Sequence, residues 1–146
     1  DSVATTVGGQ YLQVKGRYII TSVKSGVVMI DQYRAHIRIL YDRYMSHLQS
    51  GQGVSQRVLF PEMIHLSASQ IETASEKGGD VKSDIHEAMA LTLAESAAIP
   101  YGQVLSSLEM EQLADDLFAS AMPGYTPDGR VTLTVFSVDE LQKRFK

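Results

Sequence analysis

Apolar and polar positions alternate at the start of the chain, recur with a longer period in its middle, and alternate again near its end. Residues 10–14 and 18–23 are rich in Tyr, Ile, Val and Thr, which suit a pleated, half-buried surface. A short Lys24-Ser25-Gly26 turn leads into Val27-Val28-Met29-Ile30, so the pattern predicts three antiparallel strands. After Asp31 the period becomes helical. Tyr33, Ile37, Leu40, Tyr41, Tyr44, Met45 and Leu48 fall at i, i+4, i+7, i+8, i+11, i+12 and i+15 of one amphipathic helix, stopped by Gly51-Gln52-Gly53. Residues 57–66, RVLFPEMIHL, read as an extended segment that Pro61 restricts to an edge or an irregular strand. Residues 67–83, with Gly78-Gly79 and many charges, read as a linker.

The spacing predicts a second helix over 84–98, with Ile85, Met89 and Leu93 on one face and Asp84 with Glu87 as its cap pair, ended by Pro100 and Gly102. Ser106 and Glu109 form a capping box for a third helix, with Leu105 and Met110 placed as a hydrophobic staple. Its buried face is expected at Met110, Leu113, Leu117 and Phe118. A turn-rich passage over 123–129 precedes an alternating strand at 131–136, and Ser137 with Glu140 caps a short last helix carrying Leu141 and Phe145. The order is βββ-α-β-αα-β-α, an α+β fold with an antiparallel or mixed sheet packed against helices.

Composition narrows what such a fold could do. With 146 residues, 44% of them hydrophobic, the chain suits a single domain over 10–146 behind a flexible lead-in at 1–9. The absence of cysteine excludes disulfides, thiolate zinc sites and thiol nucleophiles, and fits an intracellular setting. The chain has neither a membrane-length apolar run nor a signal-peptide pattern, and reads as a water-soluble piece of a longer protein. A net charge of −4 leaves room only for weak, salt-sensitive DNA contact, for which Arg34 and Arg38 are the candidates.

Asp31, His36 and Asp42 are the residues that most resemble a catalytic set, since divalent-metal hydrolysis needs carboxylates and imidazoles converging on an ion. At roughly 100° per residue they do not converge: with Tyr33 inward, His36 lies about 300° and Asp42 about 180° round the helix. Asp42 then joins Arg34 and Arg38 on a solvated charged stripe. His47, His65 and His86 stand in no metal-binding spacing, and no serine-hydrolase elbow, phosphate loop or dinucleotide fingerprint occurs.

The segment GQYLQVKGRYIITSVKSGVVMIDQYRAHIRILYD, with VLFPEMIHL, AAIPYGQVLSSLEMEQL and TPDGRVTL, resembles the C-terminal dimerisation domain of the DNA mismatch-repair protein MutL across most of the chain. The resemblance implies a homodimer beneath ATPase heads that lie outside these residues, so ATP and Mg²⁺ belong there and no cofactor is expected here. It further implies a cytoplasmic, nucleoid-associated bacterial protein that meets a MutS-type mismatch sensor through its full length. Nuclease-active members carry DQHAxxExxxxE. Here Asp31 and Gln32 match, Tyr33 replaces the His, Arg34 the Ala, Ile37 the first Glu and Asp42 the last. The active members' ACxxAxKAG becomes AESAAIPYG, with Glu95 for Cys and Pro100 for Lys, and their CPHGRPT becomes TPDGRVT, with Thr126 and Asp128 for Cys and His.

Only Asp31 remains of the expected metal ligands, so the motif implies a domain without nuclease activity. The competing expectation is a metal-dependent endonuclease with substituted oxygen ligands at Asp42, Glu95 and Asp128. The family usually inserts a regulatory subdomain where 67–83 stands. Finally, QRVLFP resembles the peptide by which MutL proteins hold the replication sliding clamp, with Gln56, Leu59 and Pro61 as contacts.

Overall fold

A computed structural model of the chain describes residues 10–50 and 79–146. The lead-in, the extended segment 57–66 with Gln56, Leu59, Pro61 and His65, and most of the linker lie outside the described residues. The chain divides into two compact units, one formed by 1–39 with 98–146 and the other by 40–97.

The first unit holds a four-stranded antiparallel sheet in chain order: β1 (Leu12–Val14), β2 (Tyr18–Val23), β3 (Gly26–Asp31) and β4 (Leu133–Ser137). The first hairpin turns through Lys15 and Gly16, whose φ angles of 56° and 63° suit a right-twisted hairpin, and Arg17 N–H donates to Val14 O at 3.0 Å. Gly26 opens β3 at φ 153°, where an added Cβ would lie 2.0 Å from Phe136 O, so only glycine lets β4 pair there.

Strand register sorts the side chains into two faces. Gln13, Ile19, Ile30 and Leu133 form one row, and Thr21, Val28 and Val135 the next, on the covered face. Against them pack Ala35 and Ile39 of α1 (Gln32–Gln49), Leu105, and Met110, Leu113, Ala114 and Leu117 of α3 (Ser107–Phe118). The predicted capping boxes hold: Ser106 and Glu109 close reciprocally on α3, and Ser137 and Glu140 on α4 (Val138–Lys143). Leu105 and Met110, the staple pair, are both buried, whereas Phe145 lies beyond α4 and is 88% exposed.

In the second unit, Leu48 packs with Ala90 and Leu93 of α2 (Gly79–Ala97), flanked by Tyr41, Tyr44, Met45 and Met89. The second helix therefore starts five residues before the expected cap at Asp84, which is internal to it. Nothing between Gly79 and Asp84 excludes helix, and one Gly at a helix start costs little. The last strand begins at Leu133 rather than 131, with Val131 paired to Tyr125 as an isolated bridge. Among the described residues no helix is long and apolar enough to cross a membrane.

Candidate functional site

Asp31 ends β3 and precedes α1, and its carboxylate works in both places. Oδ1 accepts from Arg34 N–H at 2.9 Å, which satisfies one of the orphan donors in the first turn of the helix. Tyr101 Oη lies 2.8 Å from Oδ1 and 2.7 Å from Oδ2, a charge-assisted bond from a loop seventy residues away in the chain. Arg34 Nε stands 3.8 Å from Oδ2. Tyr33, at the position of the motif's His, turns its ring to Tyr101 with centroids 5.4 Å apart. Arg17 covers the other aromatic surface, its guanidinium 3.8 Å from the Tyr101 ring centre and 5.8 Å from that of Tyr18.

Burial raises the Tyr101 phenol to about 12, helped by its bond to Asp31 and the repulsion a tyrosinate would meet there. A raised acid means that the folded state keeps its proton after the unfolded chain, titrating near 10, has lost it. The Tyr101 contribution to stability is therefore complete below about pH 10 and is lost as pH climbs from there toward 12. Tyr101→Phe is expected to flatten stability against pH across that window, and tyrosinate absorbance in an alkaline titration should lose its latest component.

Gln32 is wholly buried. Its Nε2 donates to Pro100 O at 3.0 Å and to Gln103 O at 3.3 Å, while its Oε1 accepts from Gln13 Nε2 at 2.6 Å. Gln13 in turn donates to Gln103 O at 2.8 Å and accepts from Leu105 N–H at 3.0 Å. Two amides thus use every donor they have to clamp β1, the start of α1 and the 100–105 loop together.

The other candidate residues are similarly engaged. His36 accepts the Ile99 N–H on Nδ1 at 2.9 Å, which makes it an anchor for that loop. Arg38, expected on a solvated stripe, is only 7% exposed and donates to Tyr125 O at 3.2 Å; Arg34 Nη1 donates to Val131 O at 3.1 Å. Burial takes in Ile37, Leu40 and Leu48 of the expected face and extends to Ala35, Arg38 and Ile39, because a guanidinium can be buried when a carbonyl receives it. Thr126 Oγ1 donates to Asp128 Oδ1 at 2.5 Å and accepts from Arg130 N–H at 2.9 Å, with Arg130 Nε 3.1 Å from Asp128 Oδ2. The threonine hydroxyl, then the arginine charge, hold the Asp128 carboxyl below its ordinary range. Thr126 and Asp128 are thus closed on each other in a turn.

Asp42 and Glu95 belong to the second unit, the former half-buried on α1 and the latter half-buried on α2. No group of three or more His, Asp or Glu placed to hold a metal occurs among the described residues. The sequence reading missed Gln13, Arg17 and Tyr101. Gln13 alone carried a signal, as a polar residue whose parity places it on the covered face.

On the opposite side of the sheet, the rows Leu12–Ile20–Met29–Thr134 and Ser22–Val27–Phe136 face away from that core. Leu12 is 61% exposed, and Ile20, Val27, Met29 and Phe136 are half-buried. A five-residue apolar stripe thus crosses all four strands.

Comparison with known proteins places the chain in this context. The family model described as MutL C terminal dimerisation domain matches residues 11–84. A DNA mismatch repair protein MutL from Bacteroides fragilis is 44% identical over 95% of the chain and 30% of its own length. MutL proteins from Phocaeicola vulgatus and Parabacteroides distasonis are 40% and 35% identical over the whole chain and 31% of their lengths. The chain spans just under a third of the length of these relatives.

Proposed function

This chain belongs to the family of MutL C-terminal dimerisation domains, and from that premise we propose that two copies join through the open face of the sheet. The observation that carries the reading is the stripe of Leu12, Ile20, Val27, Met29 and Phe136 on the face the core does not use. A two-fold axis through such a stripe sets each apolar row against its equivalent, with exposed Ser22 and Thr134 beside it. In a full-length protein resembling the MutL relatives, the dimer would tie together ATPase regions and present them to a mismatch sensor. Sedimentation should show the chain as a dimer and stripe variants as monomers, and a chain that sediments only as a monomer would remove the reading.

The same reading assigns the Asp31 junction to architecture rather than hydrolysis. Asp31 caps a helix and receives Tyr101, His36 receives a backbone N–H, and Asp128 receives Thr126, so these three candidate ligands are engaged in structural bonds. Ile37, at the motif's first Glu, offers a metal nothing. Supercoiled plasmid incubated with the chain and Mn²⁺ should remain unnicked; robust nicking that Asp31→Ala abolishes would overturn the assignment.

The peptide Gln56-Arg57-Val58-Leu59-Phe60-Pro61 is read as a sliding-clamp ligand on its pattern alone, Gln56 donating at one end while Leu59 and Pro61 enter an apolar groove. The double variant Gln56→Ala, Leu59→Ala should abolish capture on immobilised clamp, and unchanged capture would remove the idea.

A further inference from the structure

Beyond the Tyr18–Asp31 pair, one end of the open sheet face sinks into a shallow depression of about 220 Å³ that borders the apolar stripe at Met29 and sets charged groups beside it. Arg17, Tyr18, Asp31, Arg34, Thr132 and Thr134 contribute to its lining. We propose that this depression is an oxyanion site that takes a phosphate group.

Charge and fixation carry the inference. Two guanidiniums meet one carboxylate, so the lining is net positive in a chain whose overall charge is −4. The carboxylate is moreover occupied: Asp31 already accepts from Tyr101 Oη and from Arg34 N–H. Arg17 is held over the Tyr101 ring and by a side-chain hydrogen bond to Tyr18, which together fix its plane, and a guanidinium has five N–H donors to share among acceptors. Arg34 is tethered through Nη1 to Val131 O, and its buried Nε has no hydrogen-bond acceptor among the described residues. A buried donor without an acceptor is costly, and an oxyanion in the depression would bring acceptors to this guanidinium. Planar guanidinium forks match phosphate oxygens. The volume is below the roughly 300 Å³ at which pockets enclose whole drug-sized ligands, so the site fits a group rather than a large molecule.

The source of the phosphate is either a nucleic-acid backbone or a free phosphate, and one experiment separates them. ¹H–¹⁵N spectra of the chain are recorded while inorganic phosphate, and separately a short oligothymidylate, is added at constant ionic strength against a chloride control. The same samples are sedimented, so that a failure of dimerisation is seen apart from a failure of binding. Saturable shifts are expected at Arg17, Tyr18, Thr132 and Thr134 and at the Nε–H of both arginines. Arg17→Gln and Arg34→Gln should each weaken binding about tenfold, as loss of a charge-assisted bond implies. Asp31→Asn keeps a helix-capping side chain, and removal of the opposing charge should tighten binding. Tighter binding of oligothymidylate than of inorganic phosphate assigns a nucleic-acid backbone, and the reverse assigns free phosphate. Shifts no larger than those with chloride, shifts that survive both arginine substitutions, or weakening by Asp31→Asn would overturn the proposal.

Discussion

Replacing Val27 and Phe136 together by aspartate is expected to turn the dimer into monomers without unfolding the chain. The two residues are direct cross-strand neighbours on β3 and β4, and both point away from the core. Two-fold symmetry doubles each change, so four carboxylates would enter a surface meant to lose water. An unpaired charge desolvated in an interface costs several kcal/mol, and each 1.4 kcal/mol is a factor of ten in the dissociation constant. Weakening of about a hundredfold or more is the expected result, read by equilibrium sedimentation beside a circular dichroism spectrum that stays unchanged. A double variant that remains dimeric would move the interface to another surface of the chain.

Gln32→Ala is expected to destabilise the fold by about 2–4 kcal/mol, combining lost bonds with the space left in a close-packed interior. Gln32 is fully buried, and its amide serves three partners: Gln13, Pro100 O and Gln103 O. With alanine there, Pro100 O loses this donor, one Gln13 N–H loses its acceptor, and the 100–105 loop loses an attachment to the start of α1. Gln32→Glu should be worse, since it sets a carboxylate against two carbonyl oxygens. Urea denaturation measures the loss. A double-mutant cycle with Gln13→Ala should show strong coupling, because each amide is the other's partner. This gives a physical reason for Gln32 at the junction that needs no metal chemistry.

What could be read from the sequence depended on how far apart the interacting residues lie. Strands, the long helix and both capping boxes rest on signals within a few residues, and Ser106 with Glu109 and Ser137 with Glu140 stand as expected. The start of α2 was misplaced because Asp84 and Glu87 mimic a cap, while nothing upstream forbids helix. Arg38 was placed in solvent because periodicity counts a charged residue as exposed, whereas a carbonyl on a distant turn allows it to be buried. The site resisted for the same reason. Tyr101 reaches Asp31, and the 100–105 loop reaches Gln13 and Gln32, across some seventy to ninety residues of sequence. Residue type alone marks Asp31 as a ligand candidate, and only the fold supplies the phenol and the helix end that engage it.

The sheet-face interface is tested most directly by contacts between the two subunits. A dimer assembled from one ¹³C-labelled and one unlabelled copy should give intermolecular nuclear Overhauser effects from the methyl groups of Leu12, Ile20, Val27 and Met29. Contacts between subunits that involve none of these methyls, and arise instead around exposed Val104 and Leu108, would contradict the account.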